Sequence, residues 1–417
     1  MDDSNFPVFS DGDVRVWIGL KVYQLHSGVL EHHSRYFRYA LREAPRFEGF
    51  AHFHVVPSQL TEVGALTLQE SVSSPLAFES QFDDPAKVRA YWENILRALY
   101  KIKPNLHLPG RQLTAVASGL ANLGDFIGSK AIVDEGIDLA LQDLGQGLFL
   151  LIVSDPISWL YFGSRIRSKT IYREAVVHLV GRLPGLTPED LERLVFLPQY
   201  TRDLLLDSYR TVCDAKKAAE ALLWGYGSDL NDGPDSPMMK AVGLFRQWIA
   251  QHKALGNNIV SWDGGARLYR TIASGGQAYL PGDQFRYVYS PSVGELEARE
   301  ILDRLAQVKD DVKQFVAPLL VNESRFDPQR FGQLPYLTCA KIDDDALPWN
   351  EWAIEDGNNS DTGLLGSEAG SDDSWISWAD LESSDDAMAD ESSEKVERFH
   401  HLRQAKVVSN SVEPDEA

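Results

Sequence analysis

A chain of 417 residues, 44 % of them apolar, has enough material for two buried cores, which predicts two folded domains. Its net charge of −21 argues against a direct nucleic-acid binder, since acidic groups are repelled by the phosphate backbone and no basic stripe with interleaved aromatics compensates. Cys213 and Cys339 are the two cysteines, far apart and outside any CxxC or Cys/His pairing, which excludes a disulfide scaffold and a zinc finger and points to a reducing compartment. The start, Met1-Asp2-Asp3, is acidic where a leader would be basic, and the longest apolar run, Leu148 to Val153, is too short to span a bilayer. The expectation is a soluble protein of the cytoplasm or nucleus, with no membrane contact.

In chain order, Val14, Val16 and Ile18 alternate with Arg15, Trp17 and Gly19, the period of a half-buried strand, and Val22 to Leu25 follow as its hairpin partner. His26, Leu30, Ser34 and Phe37 then fall on one helical face. Arg46 to Leu60 is aromatic and His-containing, and Ala65 to Gln69 reads as a third strand. After a Ser- and Pro-rich loop, Asp84 and Pro85 give an N-cap and a first helical residue. Val88, Trp92, Ile95, Leu96, Leu99 and Tyr100 form the apolar stripe of the helix that follows. Leu113 to Leu123 and Ile132 to Leu141 continue as two further helices.

Asp13-Val14, the short hairpin, His26-x-x-x-Leu30, Ser34-x-Tyr36-Phe37, and later Trp92, Leu96 and Tyr100, resemble the BTB/POZ family, over about residues 8–145. The stretch Ile171 to Gly181 is similar to one common in fungal members. The resemblance implies an α+β domain, a short sheet flanked by helices, that assembles proteins and carries no chemistry. It further implies a homodimer or a cullin-type ubiquitin ligase scaffold as partner, with an interface on the outer faces of the helices near Trp92 to Tyr100.

Residues 147–340 read as a mostly helical domain. Thr187-Pro188-Glu189-Asp190 is a helix start, Asp235 to Leu255 carries Met238, Val242, Phe245, Trp248 and Ile249 at helical spacing, and Ser292 to Glu295 reads as a capping box. That box opens a long helix with a stripe from Leu296 through Leu302, Leu305, Val308, Val312 and Phe315 to Leu319. Gly264-Gly265 and Gly275-Gly276 flank Arg267 to Arg270 and suggest loops around a short strand or turn. No repeat period is present.

Signals for chemistry are sparse. The hydrolase elbow, the Walker loop, the dinucleotide glycines and H-E-x-x-H are all missing. The pairs His32-His33, His52-x-His54 and His400-His401 lack convergent further ligands, so no metal and no cofactor is expected. His26 reads as a structural histidine that satisfies a backbone group near the hairpin. The expectation is a protein that is not an enzyme.

The acidity sits in residues 341–417: between Asp343 and Glu394 there are 17 Asp and Glu and no Lys or Arg, leaving about −4 for the rest of the chain. Such composition predicts a disordered acidic tail. Within it, Trp349-x-x-Trp352 and Trp375-x-x-Trp378 place paired indoles among acids, candidates for binding a partner's apolar groove, with Ser371, Ser383 and Ser392 as candidate phosphorylation sites. The leading expectation is therefore a non-catalytic adaptor for protein partners, and the alternative a nuclear transcriptional co-regulator acting through the tail.

Overall fold

The computed structural model describes residues 6–349 apart from 43, 59–60, 62, 69–81, 107–109, 229–231, 258–262 and 284–293. The Trp352, Trp375 and Trp378 positions lie outside the described residues. The chain divides into two compact units, the first ending at Tyr172 and the second beginning at Arg173.

Period-2 hydrophobicity builds the sheet of the first unit. Strands β1 (Val14–Ile18) and β2 (Lys21–Leu25) are antiparallel with Val16 opposite Tyr23, and Gly19 supplies the positive φ of 65° that their tight turn requires. β4 (Phe50–Val56) runs parallel to β1, placing Phe53 beside Val16. Its other edge pairs antiparallel with β3 (Arg46–Phe47) near its start and with β5 (Ala65–Leu68) near its end. Val14, Val16, Ile18, Ala51 and Phe53 are fully buried. The architecture is a small mixed sheet followed by helices, as the α+β expectation required.

The helical face from His26 to Phe37 is two helices, not one. α1 (Ser27–His33) stops at Ser34, whose backbone is extended (φ −134°, ψ 125°), and α2 (Arg35–Ala40) starts there. Ser34 Oγ accepts from Phe37 N–H, capping α2, and donates to Ile127 O at 2.7 Å; Arg35 and Tyr36 N–H find Gly128 O and Ile127 O. The break is tolerated because the loop at 127–128 satisfies the freed backbone groups. Ser34→Ala is expected to cost about 2 kcal/mol, since it removes a cap and a buried hydrogen bond together. A urea midpoint for the first unit equal to wild type would contradict this.

α3 (Pro85–Leu99) starts as its sequence predicts, with Asp84 Oδ1 accepting from Lys87 N–H. It buries Trp92, Ile95, Leu96 and Leu99. α4 (Gly110–Phe126), α5 (Lys130–Gln142), α6 (Gln146–Ser154) and α7 (Pro156–Arg165) complete the first unit, and α8 (Lys169–Arg182) runs across its end into the second. Among the described residues no single helix is long and apolar enough to cross a bilayer; α5 and α6 pass together but bend by 100°.

The second unit holds α9 (Pro188–Val195), α10 (Gln199–Gly225), α11 (Pro237–Asn257), α12 (Ala266–Ser274), α13 (Glu295–Val316), a 3-10 turn over Ala317–Leu320 and the one-turn α14 (Pro328–Phe331). Thr187 and Asp190 form the full capping box of α9. Three expectations are corrected. Gly294, without a side-chain bond, caps α13, and Ser292 lies outside the described residues. Leu296 is 86 % exposed, off the buried stripe. The segment between the two Gly pairs is a helix, with Gly265 (φ 88°) and Gly275 (φ 59°) as its caps. Ala266, Tyr269 and Ile272 are its buried face, a three-residue spacing too short to register as a helical period.

The folded chain also extends past Lys341. Ile342, Leu347 and Pro348 are buried and Trp349 is half-buried. The acidic residues of this stretch conceal a short apolar anchor.

Candidate protein-interaction site

The residues singled out in the N-terminal third converge on the fold of the first unit. Asp13 accepts Ser27 N–H at 2.7 Å and Arg46 at 3.2 Å, so its carboxylate bridges the start of α1 to β3. Partial burial opposes ionisation there, yet the bonds from Ser27 and Arg46 and the charge of Arg46 hold Asp13 below the usual carboxylate range. His26 meets two side chains instead of a backbone group: Nδ1 is 3.2 Å from Tyr100 OH and Nε2 3.1 Å from Asp11, while its own N–H donates to Tyr100 OH. Tyr36 OH donates to Leu66 O at 2.6 Å, and burial pushes this phenol up to about 12. Trp92 Nε1 donates to Val63 O at 2.9 Å. Val14, Leu30, Phe37 and Leu96 are fully buried.

The second unit carries a bundle with a continuous core. α11, α12 and α13 contribute Phe245, Trp248, Tyr269, Ile272, Val308 and Val312 among others. Trp248 stacks on Tyr279 with ring centres 4.3 Å apart. Lys309, on α13, is 5 % exposed and donates to Gly276 O at 2.7 Å and Leu280 O at 3.0 Å, so a buried ammonium ties down the loop after α12. Burial holds Lys309 below the usual lysine range.

The core does not stop at those three helices. Ala219 and Leu223 of α10 enter it, and Tyr269 OH donates to Glu220, Tyr226 OH to Asp311 and Arg246 to Tyr226 O. Leu337 enters it from the segment that follows the 3-10 turn.

That segment, residues 321–342, is a strap over α8. Glu174 lies at its centre: Ser324 Oγ donates to Oε1 at 2.5 Å, Arg325 N–H to Oε2 at 2.8 Å and Phe326 N–H to Oε1 at 3.2 Å. His178 Nε2 is 2.9 Å from the same carboxylate, and Nδ1 is 3.1 Å from Tyr336 OH. Burial by itself would raise Glu174; the hydrogen bond and charge of His178, with the bonds from Arg325 and Ser324, outweigh it and hold the carboxyl below its ordinary value. Ser, His and Glu are together here, but Ser324, His178 and Glu174 are all buried, and the hydroxyl is spent on the carboxylate. The cluster closes the fold and offers no face to a substrate. Nothing in the local sequence flags it, because its halves lie 150 residues apart.

Between α12, the 3-10 turn and the strap runs an open groove of about 310 Å³, lined by Arg270, Ala273, Leu320, Phe326, Leu334 and Leu337 among others. Arg270 donates to Leu334 O and Tyr336 O, pinning the strap as its wall. Among the described residues no group of three or more His, Cys, Asp or Glu is placed to hold a metal ion.

Residues 231–318 match the family model of a fungal FF domain. The match covers α11, α12 and α13, which together supply most of this core among the described residues. An FF domain is a protein–protein interaction module, which supports protein partners for this chain. No curated protein and no solved structure matches.

The match corrects the family resemblance drawn from the sequence. The FF domain is a different family from BTB/POZ, and no BTB/POZ match accompanies it. The residues that carried the resemblance, His26, Leu30, Ser34, Tyr36, Phe37, Trp92 and Tyr100, are those that close a hairpin and its helices into a core, and such a pattern reports packing demands shared by unrelated domains. The homodimer and cullin contacts had no support beyond that resemblance.

Proposed function

We propose that this protein is a non-catalytic interaction protein that uses its FF region to hold a protein partner. The observation that carries the reading is the FF match falling on helices that share one continuous core, to which α10 and the strap add Ala219, Leu223 and Leu337. Its α13 presents Arg299, Glu300, Asp303, Arg304 and Gln307 to solvent, polar groups suited to the rim of an interface.

Cross-linking of the full chain in cell extract, with mass spectrometry, tests the reading. Cross-links to a defined protein set on α11 and α13 are expected, and reversing the charges of Arg299 and Arg304 should remove them with the circular dichroism unchanged. Recovery of the same set by a Phe245→Asp variant, whose bundle core is broken, would overturn it. A second reading, transcriptional co-regulation, rests on the acidic, Trp-bearing composition of residues 343–394. Reporter activation that is unchanged when this stretch is deleted from the full chain would remove that reading.

A further inference from the structure

Three helix ends of the first unit meet at one charged cluster. Asp125 ends α4, Lys130 and Asp134 open α5, and Arg165 ends α7. Arg165 lies 2.8 Å from Asp125, while Lys130 is divided between Asp125 (3.4 Å) and Asp134 (3.3 Å). Two of these charges oppose the local helix dipoles: Asp125 sits at a C-terminal, negative end and Lys130 at an N-terminal, positive one. Asp134 is 6 % exposed, and its Oδ1 has no hydrogen-bond partner. The buried N-cap hydroxyl of Ser129 is likewise without one.

A buried carboxylate with one bare oxygen and half a lysine for a partner is better accommodated as the neutral acid, which needs less solvation and gains a donor. Protonation would also leave Lys130 to Asp125 and the carbonyl oxygen of Arg165. We propose that Asp125, Lys130, Asp134 and Arg165 form a proton-operated brace, in which protonation of the buried Asp134 tightens the packing of three helix ends as the medium acidifies. The groups that face Asp134 are Lys130 on its own helix, Asp125 from α4 and Arg165 from α7. Burial, the largest influence, and the neighbouring Asp125 charge together push the carboxyl up to about 6 against the pull of Lys130 and Arg165. Since the folded value lies above the ordinary 3.8, the stabilisation is complete below the unfolded value and is lost as pH rises through about 6.

The test is hydrogen exchange of the full chain at pH 7.5 and pH 5, corrected for intrinsic rates, reading the amides of α4 and α5. Wild type should gain about tenfold in protection at pH 5 relative to Asp134→Asn, whose isosteric amide cannot titrate. Asp125→Asn returns the whole of Lys130 to Asp134 and should move the gain to lower pH. Parallel pH profiles for wild type and Asp134→Asn, with both folded by circular dichroism, would overturn the proposal, as would a profile unmoved by Asp125→Asn.

Discussion

Replacing Gly181 by alanine is expected to destabilise the second unit by about 3 kcal/mol, the upper end for forcing an atom into a packed site. Gly181 lies on α8 directly beneath the strap, where a Cβ would collide with the carbonyl oxygen of Leu337 and stand 2.6 Å from Cδ2 of Tyr336. Neither neighbour yields easily. Tyr336 is held by His178, its carbonyl and that of Leu334 take the Arg270 guanidinium, and Leu337 is part of the bundle core. The added methyl must therefore lift the strap or shift the helix, and either exposes apolar surface. A urea midpoint for the second unit is the measurement. Gly243→Ala serves as the opposite control: that glycine sits exposed within α11 with open space around its Cα, so alanine should stabilise by about 0.5–1 kcal/mol. Equal midpoints for Gly181→Ala and wild type would show that the strap is not tightly seated.

The second large effect is expected at Glu174, where Glu174→Gln should cost about 3 kcal/mol. A glutamine keeps the shape and loses the charge that four donors address. Whichever way its amide turns, an NH2 is set against donors, Arg325 N–H on one side or Ser324 Oγ–H and Phe326 N–H on the other, so at least one hydrogen bond to the buried group is lost together with its charge. The pH dependence has a definite sign. The folded carboxyl lies below its ordinary value of 4.5, so its contribution is present above that value and is lost as pH falls through the folded one. Wild type should thus lose stability in the second unit on acidification below about pH 4.5 more steeply than Glu174→Gln. Asp134 in the first unit runs in the opposite sense, and mild acid separates the two. Acid unfolding curves of the second unit that superimpose for wild type and Glu174→Gln would contradict the assignment of Glu174 as the strap's anchor.

How far the site could be read in advance follows from how local each cause is. The hairpin, the Asp84-Pro85 helix start and the Thr187–Asp190 capping box are decided by neighbours within four residues, and each stands where the pattern put it. The stripes of α11 and α13 likewise announced packed helices, though not the FF family to which that region is matched. β4 was not legible as a strand: Phe50 to Val56 carries histidines on its pleat, and alternation fails because Ala51, His52 and Phe53 are buried in succession. The break at Ser34 was hidden as well, since the carbonyl of Ile127 that rewards it lies 93 residues away.

Local sequence pattern decided the element types wherever apolar period and capping residues agree, along with the placing of most of the net negative charge from Asp343 onward. Tertiary structure decided what those elements do for one another. It split one apparent helix in two, drew Ala219, Leu223 and Leu337 into the core of the helices that the FF model matches, and set a buried carboxylate on α8 as the anchor of a strap from 150 residues downstream. The physical reason is that hydrogen-bond satisfaction and close packing in a core are met by whichever groups the fold brings near, and sequence distance has no bearing on that requirement.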